Sequence, residues 1–157
     1  MGNFVNKKAL WVSIAISVST GLLATLLTVG NFSRYSKTIQ PFLSPPGWLF
    51  PIVWTILYIL MGISAYLIYL SNDEQKYIGL SVYAIQLIFN FLWSIIYFNI
   101  GQILFSFIWL IILWILILIM IKNFYKINKT AAFLQIPYFI WVTFAGYLNL
   151  GLYIANR

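Results

Sequence analysis

Five apolar runs, each about 20 residues long and separated by short polar connections, leave this chain few ways to fold. A helix rises ~1.5 Å per residue, so ~20 apolar residues cross the ~30 Å hydrocarbon core of a bilayer. The runs fall at about 9–32, 50–70, 77–98, 103–121 and 131–154. Only 7% of the residues are charged and 63% are hydrophobic, whereas a soluble domain carries about 25% charged residues. The chain is therefore read as an all-α membrane protein: a bundle of five transmembrane helices forming one domain over 1–157. Lys7-Lys8 before the first run resembles a secretory leader. That run is too long for a leader's apolar segment and ends in no small-x-small cleavage site, so it is read as a membrane span.

The residue inventory excludes much chemistry. There is no cysteine and no histidine, and Asp73 and Glu74 are the only acids. Disulfides, imidazole or thiolate metal sites and Ser-His-Asp or Cys-His catalysis are ruled out. Asp73 and Glu74 share one polar turn and make no convincing acid/base pair. No metal site and no conventional catalytic residue is expected.

The net charge of +7 comes from basic residues that flank the apolar runs. That placement points to membrane orientation and anionic-lipid contact, not to nucleic acid. Lys7, Lys8, Lys76, Lys122, Lys126 and Lys129 fall on one side, and Arg34, Lys37 and Arg157 on the other. The positive-inside rule puts the N-terminus in the cytoplasm and the C-terminus outside.

The stretch 45–58 joins the longest polar connection to the second span. Pro45-Pro46 forces an extended entry, and Pro51 suits a first helical turn. Trp54, Tyr58 and Met61 then share a helix face at i, i+4 and i+7. Arg34, Lys37, Pro45, Pro46, Gly47 and Trp48 form the expected entrance, with Trp54 and Tyr58 inside it.

In the first span Ser13, Ser17, Gly21 and Thr25 recur every fourth residue. Such a stripe lets helices approach closely, with pocket lining by Gly21 and Thr25 as the alternative. In the third span Gln86, Asn90, Trp93 and Tyr97 form one stripe. Its two amides need partners that lipid does not offer. They either bond between helices or anchor a ligand in an aromatic cavity, and spacing does not separate the two. The fourth span, apolar all round, suits the outer wall, with Trp109 and Trp114 facing lipid or packing. Lys122, Lys126 and Lys129 read as a basic loop. In the fifth, Trp141, Ala145 and Asn149 share a face and Pro137 introduces a kink.

Three motifs in register resemble the TspO/MBR family, the translocator protein or tryptophan-rich sensory protein family, over nearly the whole chain. They are Pro45-Pro46-Gly47-Trp48 with Trp54-Thr55-Ile56-Leu57-Tyr58 and Met61-Gly62; Gln86 with Asn90 and Trp93; and Pro137-Tyr138, Trp141, Phe144-Ala145 and Leu148-Asn149. The resemblance implies a compact five-helix bundle in a bacterial cell membrane, commonly a homodimer. It implies binding of protoporphyrin IX or a related haem-like tetrapyrrole, with sterol as a further ligand, in a pocket opening toward the first loop. Trp54, Tyr58, Asn90, Trp93, Trp141 and Ala145 match the pocket positions. No cofactor is required, and porphyrin enters as ligand.

The implied role is a sensor, carrier or porphyrin-handling stress regulator. One alternative is light-dependent porphyrin degradation, for which Trp54 and Trp141 are the candidates. Another is a structural or regulatory protein acting through helix contacts, supported by the small-residue stripe. The chain departs from the family at Leu43, where relatives often have Trp, and at Gln40-Pro41, where they commonly have Lys-Pro. Leu148, Tyr153 and Arg157 fit a proposed sterol-contact pattern that helix-end anchoring also explains.

Overall fold

The computed structural model describes residues 6–33 and 37–157 and is helical throughout its regular elements. The elements are α1 (Lys7–Thr28, extended by a 3₁₀ turn at Val29–Asn31), α2 (Leu49–Tyr69), α3 (Lys76–Ser94, continued by a π turn at Ile95–Ile100), α4 (Ile103–Ile127), α5 (Lys129–Leu134) and α6 (Ile136–Ala155). Among the described residues five stretches are long and apolar enough to span a membrane, the fifth made of α5 and α6 together.

Helices in lipid gain little from burying apolar surface against each other, so close packing and interhelical hydrogen bonds must hold them. The α1–α2 seam shows how. Ser13 Oγ donates to Gly62 O and Ser17 Oγ to Tyr58 O, both at 2.7 Å. Gly62 makes that approach possible, because a Cβ there would stand 2.5 Å from Ile14 Cα. The small-residue stripe is thus a packing seam at Ser13 and Ser17. Around the bundle, α1 also packs on α3, α3 on α4, α4 on α6, and α5 on α2 and α4. Helices α2 and α6 scarcely touch.

Three expectations are corrected. The fourth helix continues to Ile127, so Lys122 and Lys126 lie on its last turns and not in a loop. The connection is Asn128 alone, extended at φ −151°, whose side-chain oxygen accepts from Ala131 N at 3.0 Å and caps α5. Local backbone bonding, which hydropathy does not report, decides that boundary. Asn128→Ala is expected to cost about 1 kcal/mol, the usual worth of an N-cap, read as a lower thermal midpoint in detergent by circular dichroism.

Helix α4 is also not a plain outer wall. Leu113, Ile117, Met120 and Phe124 are fully buried on one stripe, while Ile108, Ile111, Ile115 and Ile119 are exposed. With every position apolar, no contrast in the sequence marks the inner face. Trp109 stacks on Phe89 with centroids 4.6 Å apart and donates to Phe89 O at 2.9 Å. Trp114 donates to Thr143 Oγ1 at 2.8 Å. Both are packing residues.

Pro137 does not kink a continuous helix. The span breaks at Gln135, and Pro137 falls in the first turn of α6, where its missing N–H has no helical partner to lose. At the other face α3 ends in Gly101 at φ 73°, a left-handed cap suited to glycine, with its N–H on Ile96 O. Asn99 then ties this turn to α1, donating to Leu27 O and accepting from Asn31 Nδ2, both at 2.9 Å.

Candidate functional site: an aromatic cavity under the first loop

The gap between α2 and α6, closed by α1 and α3, holds a cavity of about 480 Å³. Small-molecule sites typically run ~300–1,000 Å³. Trp54 and Tyr58 of α2, Trp93 of α3, and Trp141 and Ala145 of α6 all line it. The rings pack against one another: Trp54 lies 5.6 Å from Tyr58 and 6.2 Å from Tyr138, Trp93 lies 5.3 Å from Tyr97, and Phe50 meets Trp141 edge-on at 5.8 Å. Gly21 leaves room for the Tyr58 ring against α1, since a Cβ there would collide with Tyr58 Cε2.

The polar side chains at the wall are largely occupied. Thr25, Thr28 and Thr55 donate to carbonyls of their own helices at 2.7–2.9 Å. Asn149 exchanges hydrogen bonds with Ser106, its amide donating at 3.0 Å. The Trp93 and Trp141 indole N–H groups are buried without an acceptor. No charged side chain lines the cavity among the described residues. Such a site favours flat apolar ligands and offers no acid or base.

Asn90 does not line the cavity. It lies behind Tyr58, accepting from the Tyr58 hydroxyl at 2.5 Å and donating to the Tyr138 hydroxyl at 3.0 Å. Tyr138 donates in turn to Gln86 Oε1 at 2.8 Å, and Gln86 Nε2 faces Met61 Sδ at 3.9 Å. All five residues are buried. The two amides of the α3 stripe are thus interhelical partners in this structure, and Asn90 acts on the cavity by holding Tyr58. Met61, on the Trp54–Tyr58 face by spacing, ends this network inside the core.

Of the expected entrance, Gly47 reaches the cavity wall, while Lys37, Pro45, Pro46 and Trp48 do not. Arg34 lies outside the described residues. The loop is fastened to α6: Tyr147 donates to Phe42 O at 2.6 Å, and Asn156 bridges the Ile39 backbone at 2.9 and 3.0 Å. Pro41 presses on Gly151, where a Cβ would lie 2.7 Å away. Leu43, one of the two departures, adopts φ 69°, a left-handed conformation costing a non-glycine residue ~1–2 kcal/mol. Leu148 is buried at the cavity, so Leu148, Tyr153 and Arg157 do not form one outward surface.

Phe50 and the α1 residues Thr28 and Phe32 are wall positions not expected from sequence. For Phe50 the signal was present, one turn before Trp54 on the same face.

An integral membrane bundle with an aromatic-walled cavity beneath a strapped first loop is a ligand-site architecture without conventional catalytic groups. The chain belongs to the TspO/MBR family, whose model matches residues 10–154. It is similar to the tryptophan-rich protein TspO of Chlorobaculum tepidum, at 35% identity over 97% of this chain and 99% of that protein. A tryptophan-rich protein TspO of Archaeoglobus fulgidus is 32% identical, again over 97% and 99%. The translocator protein of Bos taurus is 28% identical over 87% of this chain and 83% of its own.

Proposed function

We propose that this chain binds a tetrapyrrole of the protoporphyrin IX or haem type in the aromatic cavity, as a membrane sensor or carrier. The observation that carries this reading is the convergence of Trp54, Tyr58, Trp93 and Trp141 on one cavity of about 480 Å³. A flat macrocycle gains offset-stacked or edge contacts on each ring, ~0.5–1.5 kcal/mol per aromatic pair beyond area burial. Propionate groups remain toward the loop, where Lys37 is exposed, because the wall holds no charge to meet them. Sterol, apolar and rigid, is a second candidate for the same volume. A homodimer is the proposed assembly, in a bacterial cell membrane with the N-terminus cytoplasmic.

Titrating protoporphyrin IX into detergent-solubilised protein while following tryptophan fluorescence tests the reading. The parent is expected to quench saturably, and Trp54→Phe/Trp141→Phe to bind about tenfold more weakly, corresponding to loss of ~1.4 kcal/mol of ring contact. The Trp114→Phe variant, outside the cavity, is the control. Equal affinity in all three proteins removes this cavity as the site.

A second reading, light-dependent oxidation of the bound porphyrin with dioxygen as oxidant, is supported by the Trp54 and Trp141 indoles lining the same cavity. Illumination of the complex in air would then convert porphyrin faster with the parent than with the double variant. Equal rates leave binding alone.

A further inference from the structure

A second recess lies at the opposite end of the bundle, between the start of α1, the end of α2 and the start of α3, with a volume of about 570 Å³. It is separate from the aromatic cavity and shares no lining residue with it. Ala9, Ala65 and Ala84, one from each helix, hollow it out. Val12 and Ile16 at its edge are about half exposed, so the recess faces the lipid side of the bundle.

The charge at its mouth is one-sided. Lys8 is exposed and is the one charged residue at the recess among the described residues, with Asn6 beside it. Of the neighbouring cations at this end, Lys7 is exposed outside the recess and Lys76 is already bonded, its ammonium donating to Ser71 O at 2.8 Å and Tyr69 O at 3.3 Å. Deeper in the wall the Tyr66 hydroxyl is buried without a hydrogen-bond partner. The Tyr83 hydroxyl in the same wall is likewise buried without a hydrogen-bond partner. Tyr66 stands three residues inside the end of α2, about 4.5 Å below the helix terminus. An anionic head at Lys8, acceptor oxygens one helical turn lower and an apolar tail below them are the parts of one molecule, an anionic phospholipid.

We propose that this recess is a specific site for an anionic phospholipid of the surrounding leaflet. The phosphate pairs with Lys8, the ester oxygens lie at the depth of Tyr66, and one acyl chain fills the hollow made by the three alanines. Lys8 lies beside the apolar groove instead of on an open basic patch, which sets this site apart from diffuse attraction to a charged surface. The proposal does not depend on what the aromatic cavity binds.

The test uses purified full-length protein, delipidated and returned to nanodiscs of dioleoyl phosphatidylglycerol mixed with dioleoyl phosphatidylcholine. Lipid retained through detergent extraction is quantified by native mass spectrometry. The parent is expected to retain phosphatidylglycerol about fivefold over phosphatidylcholine, the usual contribution of one lysine at an anionic membrane. Lys8→Gln loses that preference, whereas Lys7→Gln, with the same change in net charge but outside the recess, keeps it. Ala84→Trp fills the groove and abolishes retention of both lipids, while protoporphyrin quenching is unchanged in every variant. Equal retention of the two lipids by the parent overturns the proposal, as does an equal fall in Lys7→Gln and Lys8→Gln. A change in oligomeric state in Ala84→Trp with lipid retention intact also overturns it, because a second copy of the chain then covers the recess. Should Ala84→Trp fail to fold, the two lysine variants decide the matter.

Discussion

Gly62→Ala is expected to be among the most destabilising single methyl additions in the chain, lowering the unfolding free energy by about 3 kcal/mol. The new Cβ would stand 2.5 Å from Ile14 Cα and 3.0 Å from Ile14 N, backbone that cannot rotate away, and 2.8 Å from the Ser17 Oγ that bonds Tyr58 O. Helix α1 has to retreat, and in doing so it stretches the Ser13–Gly62 and Ser17–Tyr58 hydrogen bonds of 2.7 Å. Otherwise α1 is held by its packing on α3 and by the Asn99 hydrogen bonds at its far end, because apolar burial against α2 in place of acyl chains gains little in lipid. Chemical unfolding in detergent micelles measures the loss. Gly30→Ala is the control: no atom lies within 4 Å of a Cβ there, and a change within about 0.5 kcal/mol is expected. A Gly62→Ala protein as stable as the parent would show that the α1–α2 seam does not hold the bundle together.

Tyr138→Phe comes next, with an expected loss of about 2 kcal/mol. The Tyr138 hydroxyl accepts from Asn90 and donates to Gln86, and all three residues are buried. Hydrogen bonds between membrane helices average only ~0.6 kcal/mol, so two lost bonds alone fall short of that figure. The remainder comes from leaving Asn90 Nδ2 and Gln86 Oε1 without partners where no water reaches, at ~1–3 kcal/mol for a buried orphan. The same variant releases Asn90, which holds Tyr58 at the cavity, so protoporphyrin affinity is expected to fall along with stability. Unchanged stability would mean that the amides find other partners.

Hydropathy made the five spans legible, because a bilayer demands ~20 apolar residues wherever a helix crosses it. Ends were less legible. Lys122 and Lys126 looked like loop residues, yet a helix continues past the apolar core wherever its backbone bonds can still form, here as far as Asn128. The inward ring residues could be read from i, i+4 spacing and from the motif resemblance, and Trp54, Tyr58, Trp93, Trp141 and Ala145 do converge. The contribution of α1 was half legible: Gly21 and Thr25, offered by the small-residue stripe as lining, do reach the cavity, whereas Thr28, one turn further along that face, and Phe32 were not singled out. Asn90 shows the opposite difficulty. A buried amide satisfied by two tyrosines and one satisfied by a ligand have the same spacing in sequence, and only the positions of Tyr58 and Tyr138 on other helices separate them.

The relay from Tyr58 to Met61 has a direction. A thioether sulfur can only accept, so Gln86 must turn its NH₂ toward Met61 and its oxygen toward Tyr138. Tyr138 then donates its hydrogen bond to Gln86 and accepts one from the Asn90 NH₂, whose own oxygen is left to accept from Tyr58. Reversing any member would set the Gln86 oxygen against sulfur, lone pair to lone pair. The one hydroxyl hydrogen of Tyr58 is thereby committed inward. Met61, buried in the core, dictates the hydrogen-bonding sign at the cavity: Tyr58 can accept there but has nothing to give, and a ligand that engages its oxygen must bring the hydrogen itself.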